Sequence, residues 1–193
     1  MNKVNTPLYP ASYYSIPTGI DKEIFECIKK KYIDGNYEDS CISPKGKLDY
    51  NIRKSKNLWI ATDHWISGMM KHFVEVANKS YFNYEIDKWS DKIQYTVYDQ
   101  EDSHYSWHCD IANSNYSHNM IRKLSISLLL SDPDEYEGGE FQIMFMGDKD
   151  MTTMKPPMGT AIIFPSTTKH RVRPIKSGKR ISLVGWMGGP PFR

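Results

Sequence analysis

The sequence is short of cysteine, of net charge and of long apolar runs. Its three cysteines, Cys27, Cys41 and Cys109, form no C-x-x-C pair. So sparse and odd a set excludes a disulfide-built scaffold and fits a reducing compartment. A formal net charge of +2 gives no electrostatic ground for a nucleic-acid or membrane partner. No stretch approaches the roughly 20 apolar residues that a membrane helix needs. The opening MNKVNTPLYPASYY has no apolar segment of the kind a secretory signal requires. These absences point to a cytoplasmic globular protein. Its 193 residues, 39% hydrophobic and 25% charged, suit one domain with a real core.

Aromatic residues, by contrast, are plentiful at 13%, with thirteen Tyr and five Trp. Strand and barrel packing is the favoured reading over pocket lining. Residues 20–33 are predicted helical, with Ile24, Cys27, Ile28 and Tyr32 at helical spacing and Lys gathered toward the end. Residues 34–57 read as a long irregular segment, followed by a short strand at 58–62. Asp63 suits the N-cap of a second helix with the apolar stripe Ile66, Met69, Met70, Phe73 and Ala77.

From residue 84 the period changes. Runs rich in Val, Ile, Tyr and Leu occur at 92–98, 104–109, 123–130, 140–146, 160–164, 170–174 and 180–187. Turn signals such as Asp132-Pro133, Gly138-Gly139 and Ser177-Gly178 separate them. The fold class is therefore mainly β with N-terminal helices. A helical part over 1–83 would pack on a double-stranded β-helix, a cupin-like jelly roll, over 84–193.

Two strands of this scheme carry chemistry. His108 and Asp110 stand two residues apart, so that on a strand both would face one side. His170 follows the strand 160–164 and its turn. Two imidazoles and one carboxylate leave three coordination positions open, the donor set of non-haem Fe(II) oxygenases. Arg180 comes ten residues after His170 and has no acidic neighbour in sequence. A buried Arg is rare unless paired, and its planar fork suits a carboxylate ligand. Ser182, two residues on, shares its face and could add a hydrogen bond. Trp186 continues the same register, either walling a substrate or filling the barrel end. Cys109 reads as a small apolar side chain. His64, His72, His104 and His118 read as surface or helix residues. Glu137-Gly138-Gly139-Glu140 reads as a turn with solvated carboxylates. The basic run Lys169, Arg171, Arg173, Lys176 and Lys179 is a solvated strand face on one reading and attracts an acidic substrate on the other.

The residues His108-x-Asp110, His170 and Arg180-x-Ser182 occur in order with Leu124-Ser125-Ile126-Ser127, Asp132-Pro133 and Tyr136-Glu137-Gly138-Gly139-Glu140. Phe164-Pro165-Ser166 and Gly185-Trp186 complete the pattern. Over roughly residues 90–190 the chain resembles the Fe(II)/2-oxoglutarate dioxygenases, in the prolyl 4-hydroxylase-like branch that includes PKHD-type hydroxylases. The resemblance implies His108, Asp110 and His170 as ligands of Fe(II), with Arg180 on the distal carboxylate of 2-oxoglutarate. These four are the implied catalytic set. Tyr98 matches a family tyrosine that contacts the co-substrate, with barrel-wall packing as the alternative. Tyr105 matches a recurrent aromatic for packing or substrate contact. The family's glycine between these two tyrosines is missing from residues 99–104.

The implied activity is hydroxylation of an unactivated C–H bond with Fe(II), 2-oxoglutarate and O2, releasing succinate and CO2. Ascorbate is an accessory reductant in this reading. A protein or peptide side chain, proline first, is the expected substrate. A free amino acid or other small molecule is the alternative within the class. A non-catalytic metal- or 2-oxoglutarate-binding jelly roll is the alternative outside it. Neither nucleic acid nor membrane is an expected partner. Residues 39–57 and 111–120 are candidate substrate loops.

Overall fold

The computed structural model describes residues 12–42, 47–111, 120–145, 147 and 150–192. Fourteen strands and two α-helices are found among them. The strands are β1 (Tyr14–Pro17), β2 (Glu38–Asp39), β3 (Arg53–Lys54), β4 (Lys56–Ile60), β5 (Ile93–Tyr98), β6 (His104–His108) and β7 (Ile121–Leu129). They continue with β8 (Tyr136–Gly138), β9 (Phe141–Met144), β10 (Met151–Met154), β11 (Thr160–Pro165), β12 (Lys169–Val172), β13 (Ile175–Gly178) and β14 (Arg180–Gly189). A seven-stranded sheet runs β1-β11-β7-β14-β5-β4-β2 and a five-stranded sheet β10-β9-β12-β6-β3, with β13 and β8 as a separate ribbon. The architecture is a mainly β jelly roll, as the strand spacing predicts.

The large sheet owes its two faces to strict alternation. On β5, Ile93, Tyr95 and Val97 enter a core shared with the helices, while Gln94, Thr96 and Tyr98 face the space between the sheets. On β14, Ile181, Leu183 and Met187 take the helix side, while Arg180, Ser182, Val184 and Trp186 take the other. Helix α2 (Trp65–Ala77) covers the first face with Ile66, Met70, Phe73, Val74 and Ala77. Met70 and Val74 are fully buried, each contributing about 1.5–3 kcal/mol.

The N-terminal third differs from the sequence expectation in three places. Helix α1 (Lys22–Tyr32) buries Phe25 and Ile28, whereas Ile24 and Cys27 are exposed, so its inner face is turned from the predicted one. His64, not Asp63, caps α2: its Nδ1 accepts the Ile66 amide at 3.3 Å. The stretch 34–57 is not wholly irregular, because β2 and β4 extend the large sheet and β3 extends the small one. Of the two candidate substrate loops, residues 43–46 and 112–119 lie outside the described residues, and so does His118. No helix among the described residues is long and apolar enough to cross a membrane.

Two bulges set what faces the interior. Between β6 and β12, His170 pairs with His108 and Val172 with Tyr105, so β6 carries one extra residue. Between β7 and β14, Met187 pairs with Leu124 and Gly188 with Arg122, so β7 carries one extra residue there. An extra residue reverses the side on which the chain beyond it points. Tyr105 is thereby brought to the same side as His108, and Arg122 to the side opposite Leu124.

Candidate active site

His108 ends β6 and His170 lies opposite it on β12. Asp110 follows just beyond the strand, its amide donating to the Ser166 carbonyl at 2.9 Å. That bond returns the chain toward β11 and points the carboxylate between the two imidazoles. Asp110 Oδ1 is 3.6 Å from His108 Nε2 and Oδ2 is 3.6 Å from His170 Nε2. The three donor groups lie within 4.8 Å of one another. All three are largely withdrawn from water, Asp110 and His170 the most.

The tautomers are fixed from behind. His108 Nδ1 meets the Ser106 carbonyl at 2.8 Å and His170 Nδ1 meets the Thr168 carbonyl at 3.0 Å. A carbonyl only accepts, so each Nδ1 carries the proton and each Nε2 presents its lone pair to the shared space. Ser125 donates to Asp110 Oδ2 at 2.7 Å and lies 2.9 Å from the Ser166 hydroxyl. Outer hydrogen bonds of this kind orient metal ligands.

The electrostatics suit a cation. Burial above all, with the neighbouring His170 adding to it, pushes the His108 imidazole down to about 3 against the pull of Asp110. His108 is thus neutral at physiological pH. Burial by itself would raise the Asp110 carboxyl. The imidazoles, the Ser125 hydroxyl and the Arg122 guanidinium outweigh it and hold the acid below its ordinary range. A neutral imidazole and an ionised carboxylate are the forms that bind a divalent metal.

A cavity of about 350 Å³ opens from these residues into the space between the sheets. Arg180 lies on its wall and is only 1% exposed. Its Nη1 donates to Ser182 Oγ at 3.3 Å and its guanidinium lies 5.5 Å from the centre of the Tyr98 ring. Its Nε has no hydrogen-bond partner, and no carboxylate among the described residues is within ion-pair distance. Thr96 Oγ1, across the strand from Ser182, is also buried without a partner. A buried guanidinium with an unused donor, next to an unused hydroxyl, is unstable unless an acceptor arrives. A carboxylate is an acceptor that would suit both groups. Gly138 and Gly139 hold positive φ beside it. A Cβ at Gly139 would run into Ile175 and press on Arg180 Cδ, so the Gly-Gly turn is what lets β8 close over the guanidinium.

Residues 93–188 match the sequence profile of the 2OG-Fe(II) oxygenase superfamily. The chain belongs to that superfamily. The matched segment begins at β5 and runs into β14, so it contains His108, Asp110, His170 and Arg180. A PKHD-type hydroxylase of Synechococcus sp. (strain CC9605) is 41% identical over 83 residues, 43% of this chain and 36% of that protein. One from Prochlorococcus marinus is 45% identical over 83 residues, 43% of this chain and 35% of its own. The match thus spans little more than a third of these relatives' length. Among solved structures, a Pseudomonas putida prolyl-4-hydroxylase superposes with a TM-score of 0.70 at 15% identity, covering 93% of this chain and 94% of that one. A prolyl hydroxylase from Trichoplax adhaerens, solved with a hypoxia inducible factor peptide fragment, gives 0.72 at 17% identity, covering 91% and 83%. These likenesses support the jelly-roll fold.

In this member of the superfamily the remaining predicted residues all reach the cavity wall. Tyr98 is buried beneath Arg180. The Tyr105 ring stacks on His108 with centroids 3.5 Å apart. Trp186 is buried, with the Arg122 guanidinium 4.1 Å above its ring and its Nε1 unpartnered. The basic run behaves as a solvated face. Arg171 donates to Gln142, while Arg173 pairs with Glu140 and Lys176 with Glu137.

Sequence reasoning left three residues without a role. Ser125 was visible as one of two serines alternating with apolar residues on a buried strand, a signal for a polar inner face. Thr96 lies two residues from Tyr98 and could have been placed by the same alternation. Arg122, which donates to the Asp110 carbonyl at 3.2 Å and pairs with Asp91 at 2.7 Å, depends on the β7 bulge and left no local trace.

Proposed function

We propose that this protein is an Fe(II)- and 2-oxoglutarate-dependent dioxygenase that hydroxylates an unactivated C–H bond, with a protein or peptide side chain as substrate and proline the first candidate. One observation carries the reading. A His, Asp, His donor set and a buried, unpaired arginine share one cavity. His108, Asp110 and His170 would hold Fe(II) through Nε2, a carboxylate oxygen and Nε2. Arg180 would take the distal carboxylate of 2-oxoglutarate, with Ser182 steering the guanidinium and Tyr98 beneath it. Thr96 would give that carboxylate a further hydrogen bond. Tyr105 and Trp186 would wall the substrate side.

When bound, Fe(II) and 2-oxoglutarate supply O2-dependent oxidation of the C–H bond, with succinate and CO2 released and ascorbate as accessory reductant. The protein supplies the rest: fixed tautomers, a carboxylate kept ionised by its neighbours, and walls that exclude water. The test is anaerobic addition of Fe(II) and then 2-oxoglutarate, read by the visible metal-to-ligand charge-transfer band. The band is expected in the native protein and absent in Asp110→Ala. Its absence from folded, iron-supplied native protein would refute the reading. Succinate release that rises with a proline-containing peptide separates the enzyme from a silent binding module.

A further inference from the structure

A second buried arginine shares the cavity. Arg53, on β3, is 6% exposed and pairs in register with Tyr105. Its guanidinium lies 4.5 Å from the centre of the Tyr105 ring, the ring that stacks on His108. One aromatic side chain therefore touches both this cation and a proposed metal ligand. Arg53 Nε donates to Ser55 Oγ at 3.0 Å, and Nη2 lies 3.3 Å from both Asn57 Oδ1 and Gln94 Oε1. Ser55 in turn donates to Ser40. Three neutral side chains thus accept from the guanidinium and hold it in one place, yet no carboxylate among the described residues is within ion-pair distance of it.

The acids that line the same cavity are Asp110, already facing the two imidazoles, and three others, none of which pairs with the cation. Asp91 pairs with Arg122 and Asp39 accepts from Tyr50, while Glu38 is exposed. A charge buried this far, held by neutral acceptors and left without a counter-ion, is costly unless an anion is delivered to it. That anion is not the carboxylate assigned to Arg180. The cavity face of β5 carries Tyr98 beneath Arg180 and Gln94 against Arg53. Four residues of strand separate them by roughly 13 Å.

We infer that Arg53 receives a carboxylate of the substrate, so that the substrate is a carboxylic acid whose reacting carbon lies near its charged group. The inference rests on the proposed dioxygenase reading, because it takes the substrate to lie beside the His108 site. Two sources present this chemistry: the α-carboxylate of a free amino acid and the C-terminal carboxylate of a peptide. The geometry also gives Tyr105 a purpose, as the ring that spaces the anion from the metal ligand.

The experiment uses protein loaded with Fe(II) and 2-oxoglutarate without oxygen, so the charge-transfer band is read first on the same sample. Calorimetry then compares the twenty common L-amino acids with their carboxamides. A second arm compares acetylated tripeptides ending in each residue with their C-terminal amides. At least one acid is expected to bind ten-fold or more tightly than its amide, and the arm in which it does so names the source. Arg53→Met should erase that difference, and Arg53→Lys should keep part of it. Gln94→Glu, which hands Arg53 an internal carboxylate, should weaken the acid about as much as Arg53→Met while the arginine stays in place. The band should persist in all three variants. No acid preferred over its amide, or a preference unchanged in both Arg53→Met and Gln94→Glu, would overturn the assignment while the band still stood. A missing band in native protein would overturn the dioxygenase reading itself.

Discussion

Replacing Arg180 by Met should make the metal-free protein more stable and the enzyme nearly blind to 2-oxoglutarate. Arg180 is 1% exposed, has an unpartnered Nε and is met only by uncharged groups, Ser182 at 3.3 Å, the Tyr98 ring at 5.5 Å and the Tyr136 hydroxyl among them. Exchanging a buried charge for an apolar side chain of similar length removes the desolvation cost; replacing whole buried ion pairs in this way ranges from neutral to about 1–4 kcal/mol in favour of folding. A gain of about 1 kcal/mol would raise the Tm by roughly 2–4 °C in a domain of this size. The same substitution removes one half of a buried charge pair in the ligand-bound state, which costs roughly 2–5 kcal/mol. Affinity for 2-oxoglutarate should therefore fall by about 30-fold to several thousand-fold.

Thermal melts with and without 2-oxoglutarate, in Fe(II) and under nitrogen, read both effects in one assay. Native protein should gain Tm as the ligand is raised, by mass action on the folded state. Arg180→Met should start higher and barely move. Opposite signs in the two conditions are the diagnostic, because a residue that merely packs the barrel would lose stability in both. A variant that starts lower and still responds fully to 2-oxoglutarate would refute the assignment of Arg180 as the co-substrate grip.

Three further expectations follow from single contacts. Ser125→Ala removes the 2.7 Å bond to Asp110 and should weaken Fe(II) binding about 10- to 100-fold, measured by competition with a chromophoric chelator. Unchanged affinity would make Ser125 a packing residue. Gly139→Ala places a methyl against Ile175 and Arg180 at a positive φ. It should cost about 1–3 kcal/mol and lower 2-oxoglutarate affinity in the same melts, whereas a fully stable, fully responsive variant would contradict the close approach. Asp132 is held below the ordinary carboxylate range by its bond to Lys22, the Met158 amide and the charge of Lys29. A depressed native pKa means that its contribution is present above about pH 3.8 and is lost as the pH falls through the native value. Asp132→Asn should thus lower the Tm at neutral pH by a few degrees and flatten its fall below pH 4, as melts across pH would show.

The parts of the fold that alternate cleanly were legible in the sequence, and the parts set by register breaks were not. β5 and β14 have strict apolar and polar periods, and the inward positions of Arg180, Ser182 and Trp186 follow from counting by twos. The strands β2 and β3 are two residues each, too short for any period, so 34–57 read as irregular and Arg53 went unnoticed within it. α1 misled for a different reason. Ile24 and Cys27 are apolar enough to suggest a stripe, but Phe25 and Ile28 are the residues that join the core, Phe25 beside Gly159, and tertiary contact decided the face. His64 capped α2 because its imidazole, like a carboxylate, can accept the Ile66 amide, while Asp63 lies one residue too early.

The same distinction explains why the site needed a structure even though its four central residues did not. His108 and Asp110 announce themselves by spacing, and His170 and Arg180 by order along the chain. The shape of the cavity around them depends on two inserted residues. Without the β6 bulge, Tyr105 would point away from His108, and Arg53, its register partner, would carry its guanidinium to the outer surface of the small sheet. Without the β7 bulge, Arg122 would face the helices, and neither the Asp110 carbonyl nor the Trp186 ring would have its cation. The bulges thus place two arginines beside a site whose sequence motif contains one. Deleting Ser106 or Lys123 would leave every proposed ligand present and turn Arg53 or Arg122 out of the cavity. If Arg53 is the substrate anchor, and the Tyr105 carbonyl takes over the bond that Ser106 makes to His108 Nδ1, the Ser106 deletion should keep the Fe(II) and 2-oxoglutarate band and abolish the preference for acid over amide. Loss of the band together with that preference would mean that the bulge serves His108 itself.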